Sequence, residues 1–245
     1  MQQKLQNKWV NNPQSLIVHE QKTSSSSHSI NPLLLEAKGI SHKFDYELFK
    51  NINLSLHKHE TIAIIGMSGS GKSTLLNILS SLLKPNEGSI IYKQNNIYEL
   101  KKSKLLNIRR EDFGIIFQAH YLFRGFSAKE NLDIATLLST KDIDLKLLKD
   151  LDIEHVLNQG VGELSGGQQQ RLSIARVLTK KPKVIFADEP TGNLDKETSS
   201  HVMDALFDYV KNNEAGLILV THDETLASKC DRTFRVLDLK LEEIR

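Results

Sequence analysis

The chain of 245 residues has room for one large domain or two small ones, and 39% hydrophobic with 25% charged residues is ordinary for a soluble globular protein. A formal charge of +2 is too small to make nucleic acid the main partner, and the single cysteine, Cys230, rules out an internal disulfide. No apolar run approaches the roughly 18 residues that span a bilayer, and the N-terminus has no apolar core of a secretory signal, so any work at a membrane is expected to need other subunits for the spans.

In chain order, residues 1–32 read as a disordered tail, polar and serine-rich at Thr23–Ser29, with Trp9 and the Leu16-Ile17-Val18 run as the alternative of a small docking motif. An ordered domain is expected over residues 33–245. Leu33–Ile40 and Asn53–Leu56 look like strands flanking the segment His42–Tyr46. An exposed aromatic there would stack on a nucleotide base; Phe44 and Tyr46 are both candidates, with a core position at a strand edge favoured for Tyr46. His57 and His59 sit among charges in L-H-K-H-E, which reads as a solvated turn rather than a metal site.

Thr61–Ile65 (TIAII) suits a buried parallel strand, and Gly66-Met67-Ser68-Gly69-Ser70-Gly71-Lys72-Ser73-Thr74 then fits G-x-x-x-x-G-K-[ST]. Glycines let successive backbone N–H groups turn inward around a polyphosphate, and the following helix adds its positive end. Lys72 is placed to reach the β- and γ-phosphates and the Ser73 hydroxyl to ligate Mg²⁺. Leu75, Leu76, Ile78, Leu79, Leu82 and Leu83 repeat at helical spacing after the loop. Gly88–Tyr92 reads as a further strand, Lys101–Asp112 as a charged helix, and Phe113–Phe117 as an apolar strand ending in Gln118, whose amide oxygen suits Mg²⁺ or a water.

Residues 119–161 read as helical, with packing stripes over Asn131–Leu138 and Ile143–Leu157. Leu164-Ser165-Gly166-Gly167-Gln168 opens another helix, a second anion cradle far from the first in sequence. Val184–Ala187 is a buried strand ending in Asp188 and Glu189, where α/β proteins bind ligands. Asp188 suits Mg²⁺, and Glu189 is placed to polarise an attacking water. Leu217–Val220 is another buried strand, and it delivers His222 to the same crevice.

Together these motifs resemble the nucleotide-binding subunit of ABC transporters, from about Leu33 to the C-terminus. Gly66–Ser73 is similar to the Walker A loop, Gln118 to the Q-loop residue, Leu164–Gln168 to the signature, and Val184–Glu189 to Walker B. Gly192–Asp195 is similar to the D-loop and His222 to the switch histidine. The resemblance implies an α/β fold: a RecA-like P-loop NTPase core with a mixed sheet, an antiparallel β subdomain, and a helical subdomain inserted at about 119–165. It implies ATP and Mg²⁺ as cofactors, with Ser73, Gln118 and Asp188 on the metal and Phe44 against the adenine. Lys72 and Mg²⁺ would neutralise the phosphates, Glu189 would polarise water, and His222 would hold the γ-phosphate. Two cassettes would pack head to tail, each site joining one chain's Walker motifs to the other's Ser165, Gly167 and Gln168. A separate integral-membrane permease would hold the dimer at the cytoplasmic face of the inner membrane, with Phe123, Arg124 and Phe126 as candidate contacts and ordinary packing within the helical subdomain as their alternative.

Glu189–Asp195 (E-P-T-G-N-L-D) and Phe117–Phe123 (F-Q-A-H-Y-L-F) resemble the branch that serves lipoprotein release, macrolide export and the cell-division septum, with lipoprotein release the nearest match. Phenylalanine at position 44 departs from the commoner tyrosine, Gln169 stands where a charged residue is frequent, and the N-terminal tail is atypical. A soluble family member acting on DNA or ribosomes would need a long coiled coil after Gln118 or a second cassette, and the chain has neither.

Overall fold

The computed structural model describes residues 31–192 and 194–245; the readings made for residues 1–30, Trp9 and Leu16–Val18 among them, lie outside these, as does Asn193. In chain order, β1 (Leu33–Lys43) and β2 (Glu47–His57) form a hairpin, and β3 (Thr61–Ile65) leads into α1 (Lys72–Leu79). β4 (Glu87–Tyr92), β5 (Asn95–Asn96) and α2 (Lys102–Asn107) follow, the last running through a π-helical turn into β6 (Phe113–Ile116). Next come α3 (Ala128–Ser139), α4 (Leu145–Asp150) and α5 (Gly166–Thr179). β7 (Val184–Asp188), α6 (Lys196–Asn212), β8 (Gly216–Val220), α7 (Glu224–Ala227), β9 (Arg232–Leu237) and β10 (Lys240–Glu243) complete the chain.

Two sheets result, an antiparallel one in the order β2-β1-β4-β5 and a mixed one in the order β10-β9-β3-β8-β7-β6. In the second sheet only β10 runs antiparallel to its neighbour. β3 and β8 are buried along their whole lengths because both faces of the sheet are covered. Side chains alternate between those faces. Ala63, Ile65, Ile185, Ala187, Leu217 and Leu219 join one core with residues of α3 to α7. Ile62, Ile64, Val184, Phe186, Ile218 and Val220 join the other, with α1 and the antiparallel sheet. The central sheet is thus a partition with an apolar layer on either side, and the C-terminal ends of β3, β8 and β7 lie side by side along it.

The antiparallel sheet departs from simple alternation in both hairpin strands: in β2 Leu48 and Phe49 are both buried and Asn51 has φ 52, and in β1 the break lies at Gly39. Gly39 adopts φ 62, and the β1 register shifts against β2 between Ala37 and Ile40. Inward positions are Leu35 and Ala37 before this bulge and Ile40 and His42 after it. β4 crosses close by: a Cβ on Gly88 would lie 2.5 Å from the Gly39 and Lys38 carbonyl oxygens.

Three expectations need correction. The apolar stripe after the phosphate loop does not define one helix to Leu83. α1 stops at Leu79, and Ser81 at φ 70 turns the chain so that Leu82 is exposed. The stretch 119–161 is helical only at α3, α4 and two short 3₁₀ turns. Residues 119–127 form a non-helical connection, closed where Ser127 caps α3. Tyr46 is not a strand-edge core residue: it stands 65% exposed in the β1–β2 turn, because a tight hairpin tip leaves nothing above it to bury an aromatic ring.

Candidate active site

The phosphate loop is shaped by the core beneath it. Gly71, which precedes α1, has φ 95, and a Cβ there would lie 2.6 Å from Cγ of Leu48 on β2. A left-handed conformation and a close approach thus both require glycine. Lys72 folds back over the loop, its Nζ donating to the Gly66 carbonyl at 2.9 Å and the Met67 carbonyl at 2.8 Å. That leaves the ammonium across the mouth of the cradle with one donor to spare.

Asp188 ends β7, two strands along from β3. Burial raises its carboxyl above the ordinary range and the Glu189 charge adds to this, while a hydrogen bond from Ser73 and the charge of Lys72 oppose it. Glu189 follows at φ 46, a left-handed backbone that costs a non-glycine residue about 1–3 kcal/mol. Its carboxylate lies 2.9 Å from Nδ1 of His222, which is carried past the end of the adjacent strand β8. The glutamate side chain is 16% exposed and the histidine 75%, so the pair joins a largely covered acid to a solvated partner.

These groups converge. A cleft of about 500 Å³ is lined by Phe44, Tyr46, Leu48, Gly66, Ser68, Gly69, Gly71, Lys72, Ser73, Thr74, Gln118, Asp188, Glu189, Val220 and His222. Of the predicted loop residues, Met67 and Ser70 do not line it; the Met67 side chain is exposed and the Ser70 hydroxyl packs within 2.9 Å of where a Gly66 side chain would begin. Phe44 and Tyr46 both stand exposed at its rim. Sequence reasoning missed Leu48 and Val220, whose apolar side chains carry no signal beyond core packing.

The second cradle lies elsewhere. Ser165 caps α5 in a reciprocal pair: its Oγ accepts from the Gln168 amide at 3.2 Å, and Gln168 Oε1 accepts from the Ser165 amide at 2.9 Å. Neither these residues nor Gly167 line the cleft that holds Lys72. Gln169 ties this corner down, donating from Nε2 to the Leu164 carbonyl at 3.0 Å and the Val161 carbonyl at 3.3 Å. Gln170, fully buried, donates to the Pro190 carbonyl at 2.8 Å. It thereby connects the start of the signature helix to the turn just past Glu189, a role its sequence position did not disclose.

A glycine cradle at the end of β3, two carboxylates at the end of β7 and a histidine beyond β8 define the class: a P-loop nucleotide-binding cassette. The pattern described as ABC transporter matches residues 49–192. The lipoprotein-releasing system ATP-binding protein LolD of Geobacter metallireducens is 41% identical over 78% of this chain and 88% of its own length. The macrolide export ATP-binding/permease protein MacB of Campylobacter jejuni is also 41% identical over 78% of this chain, which spans only 31% of that longer protein. Among solved structures, the dimeric bacterial ABC transporter cassette MJ0796 superposes with a TM-score of 0.79 at 32% identity, covering 86% of this chain and 99% of the other. The same cassette in a post-hydrolysis state bound to ADP and Pi gives 0.78 at 31%, with the same coverage. The chain belongs to the ABC transporter family, and it is an ATP-binding and ATP-hydrolysing member of it.

Proposed function

We propose that two copies of this chain sandwich two MgATP molecules and drive a separate integral-membrane permease from the cytoplasmic face of the inner membrane, in the release of lipoproteins. The observation that carries the dimer is the separation of the two cradles: Lys72 lines the nucleotide cleft and Ser165 of the same chain does not. A second copy, head to tail, brings its Ser165, Gly167 and Gln168 to the γ-phosphate. Likeness to LolD over most of both chains supports the lipoprotein cargo. No helix among the described residues is long and apolar enough to cross a membrane, in keeping with a partner that supplies the spans.

In this reading Phe44 stacks on the base, the loop amides and Lys72 hold the phosphates, and Glu189 polarises the water that attacks the γ-phosphorus. His222, 2.9 Å from Glu189, orients that carboxylate and contacts the γ-phosphate. The Ser73 hydroxyl, Gln118 amide and Asp188 carboxylate are hard oxygen donors in one cleft, and the burial that raises Asp188 is relieved by a neighbouring cation. They fit Mg²⁺ shared with substrate phosphates, which would neutralise charge on the phosphoryl oxygens. Among the described residues no cluster of three or more His, Cys, Asp or Glu forms a self-contained metal cage.

Phe123 and Phe126 stand half-exposed just past Gln118, their rings 5.8 Å apart, with exposed Arg124 between them. They are our candidate permease contacts. Arg124→Glu should weaken co-purification with the permease and leave the isolated subunit's ATPase intact. Depletion of the protein in the cell should strand lipoproteins in the inner membrane. Correctly sorted lipoproteins with failed division or lost drug export would instead assign it to a septal or macrolide-type complex.

A further inference from the structure

The bulge at Gly39 turns His42 inward. Without that extra residue, strict alternation from Leu35 and Ala37 would aim Ser41 and Lys43 at the core instead. His42 is 6% exposed, and among the described residues neither ring nitrogen has a hydrogen-bond partner. Buried polar atoms are rarely left unpaired, because they forfeit their bonds to water. A leucine or phenylalanine would fill the same space without that loss. Burial pushes the ring's pKa below its ordinary value, so it is neutral at physiological pH. Lys43 of β1, Glu47 and Lys50 of β2, and Glu87 of β4 share a small cavity with it, yet none bonds to it.

The ring's close neighbours are aromatic. Its centroid is 4.8 Å from that of Phe44 with the planes at 86°, and 6.2 Å from that of buried Phe49 with the planes at 32°. Phe44 is the exposed member of this stack, at the rim of the nucleotide cleft. Edge-to-face pairs are directional, because the positive edge of one ring meets the negative face of the other. A ring at a hairpin tip would otherwise sample several rotamers and lose that freedom on binding.

We propose that His42 is a positioning residue for the nucleotide base: wedged between Phe49 and Phe44, it holds the Phe44 ring at a fixed angle and so sets the face offered to the purine. The inference rests on the reading of Phe44 as the base-stacking residue. It predicts an effect on nucleotide affinity, through the base alone, with the chemical step left to the phosphate end of the cleft.

The test compares ATP with inorganic tripolyphosphate, which carries the phosphates and no base, by calorimetry with Mg²⁺ on the full chain, alongside KM and kcat for ATP. His42→Leu fills the space with no aromatic edge, and His42→Phe keeps an edge. The leucine variant should bind ATP about 3- to 10-fold more weakly, bind tripolyphosphate as the wild type does, and raise KM with kcat held. The phenylalanine variant should return ATP affinity to within about twofold of wild type. Equal ATP affinities in the two variants, or a parallel loss of tripolyphosphate binding in the leucine variant, overturn the proposal. Phe44→Ala separates it from the reading beneath it. Loss of ATP affinity in Phe44→Ala with none in His42→Leu defeats the role of His42 alone, and unchanged affinity in both defeats base stacking as well.

Discussion

At Gly71 a side chain would begin 2.6 Å from Cγ of Leu48, whereas at Gly166 it would meet nothing within 4 Å among the described residues. Both glycines belong to anion cradles at helix N-termini, yet only the first is required by the chain's own packing. The phosphate loop is moulded on β2 and the sheet below it. The signature corner is a capped helix end, and among the described residues its second glycine, Gly167, is checked only by Leu194 at 3.3 Å and Arg171 at 3.6 Å. A glycine that the monomer's own packing does not need is what the proposed dimer requires, in which this corner meets the nucleotide held by a second copy.

The largest effect tests the self-contained half. Glu189→Gln should lower ATP turnover about 10²- to 10⁴-fold and leave ATP affinity near wild type, since Lys72 and the loop amides still hold the phosphates. Turnover and equilibrium binding, measured on the same preparation, decide this; near-normal hydrolysis would remove Glu189 from the role assigned to it. The same variant should run as a dimer in ATP on size exclusion.

The second prediction joins the halves. Lys72→Ala and Ser165→Ala should each be at least about tenfold slower alone. Mixing them produces heterodimers with one doubly damaged site and one intact site, and partial recovery of ATPase is expected. Full activity of Ser165→Ala by itself would show that the signature corner does not complete the site.

Smaller effects follow from the glycines themselves. Gly71→Ala should lose about 1–3 kcal/mol of stability, from a strained φ and overpacking against Leu48. Gly166→Ala, at the first position of α5, should melt at or slightly above the wild-type temperature, yet lose ATPase. Thermal melts paired with activity assays would reverse the comparison if the destabilised variant were Gly166→Ala.

The smallest effect lies at the far end of the signature helix, where Lys180 Nζ donates to the Arg109 and Phe113 carbonyls, both at 2.9 Å. Burial, helped by the charge of Arg176, lowers this ammonium to about 8. An unfolded lysine keeps its proton to about pH 10.4, so between pH 8 and that value the unfolded chain binds more protons and the group's contribution to stability rises with pH. Below pH 8 both states are protonated and the desolvation cost is constant. Melting temperatures of wild type and Lys180→Met, compared from pH 7 to 10, should shift in favour of wild type only above pH 8. A constant difference would mean the ammonium is not desolvated.

Much of this was legible before any coordinates. TIAII, VIFAD and GLILV are strands because continuous apolar runs suit a sheet covered on both faces, and β3 matches its predicted span residue for residue. Ser165 as the cap of α5 followed from residue type and position. The misreadings share one cause. A helical reading of Leu82, Leu83 and residues 119–127 rests on periodicity and a core reading of Tyr46 on apolarity, and both are silent on where a chain turns. Ser81 in a left-handed conformation ended α1, and the tightness of the β1–β2 turn lifted Tyr46 into solvent.

The sequence by itself determined the chemistry available to this protein, because a phosphate cradle, paired carboxylates and a capped glycine helix are local patterns whose residue types are dictated by the groups they bind. Only the tertiary structure decided which of them meet. β3, β7 and β8 bring Lys72, Asp188, Glu189 and His222 into one cleft, since their order in the sheet is a matter of long-range pairing. The same packing keeps Ser165 out of it, and a one-residue bulge at Gly39 turns a histidine inward beneath Phe44. Pairing and parity depend on residues far apart in the chain, and no window of sequence contains them.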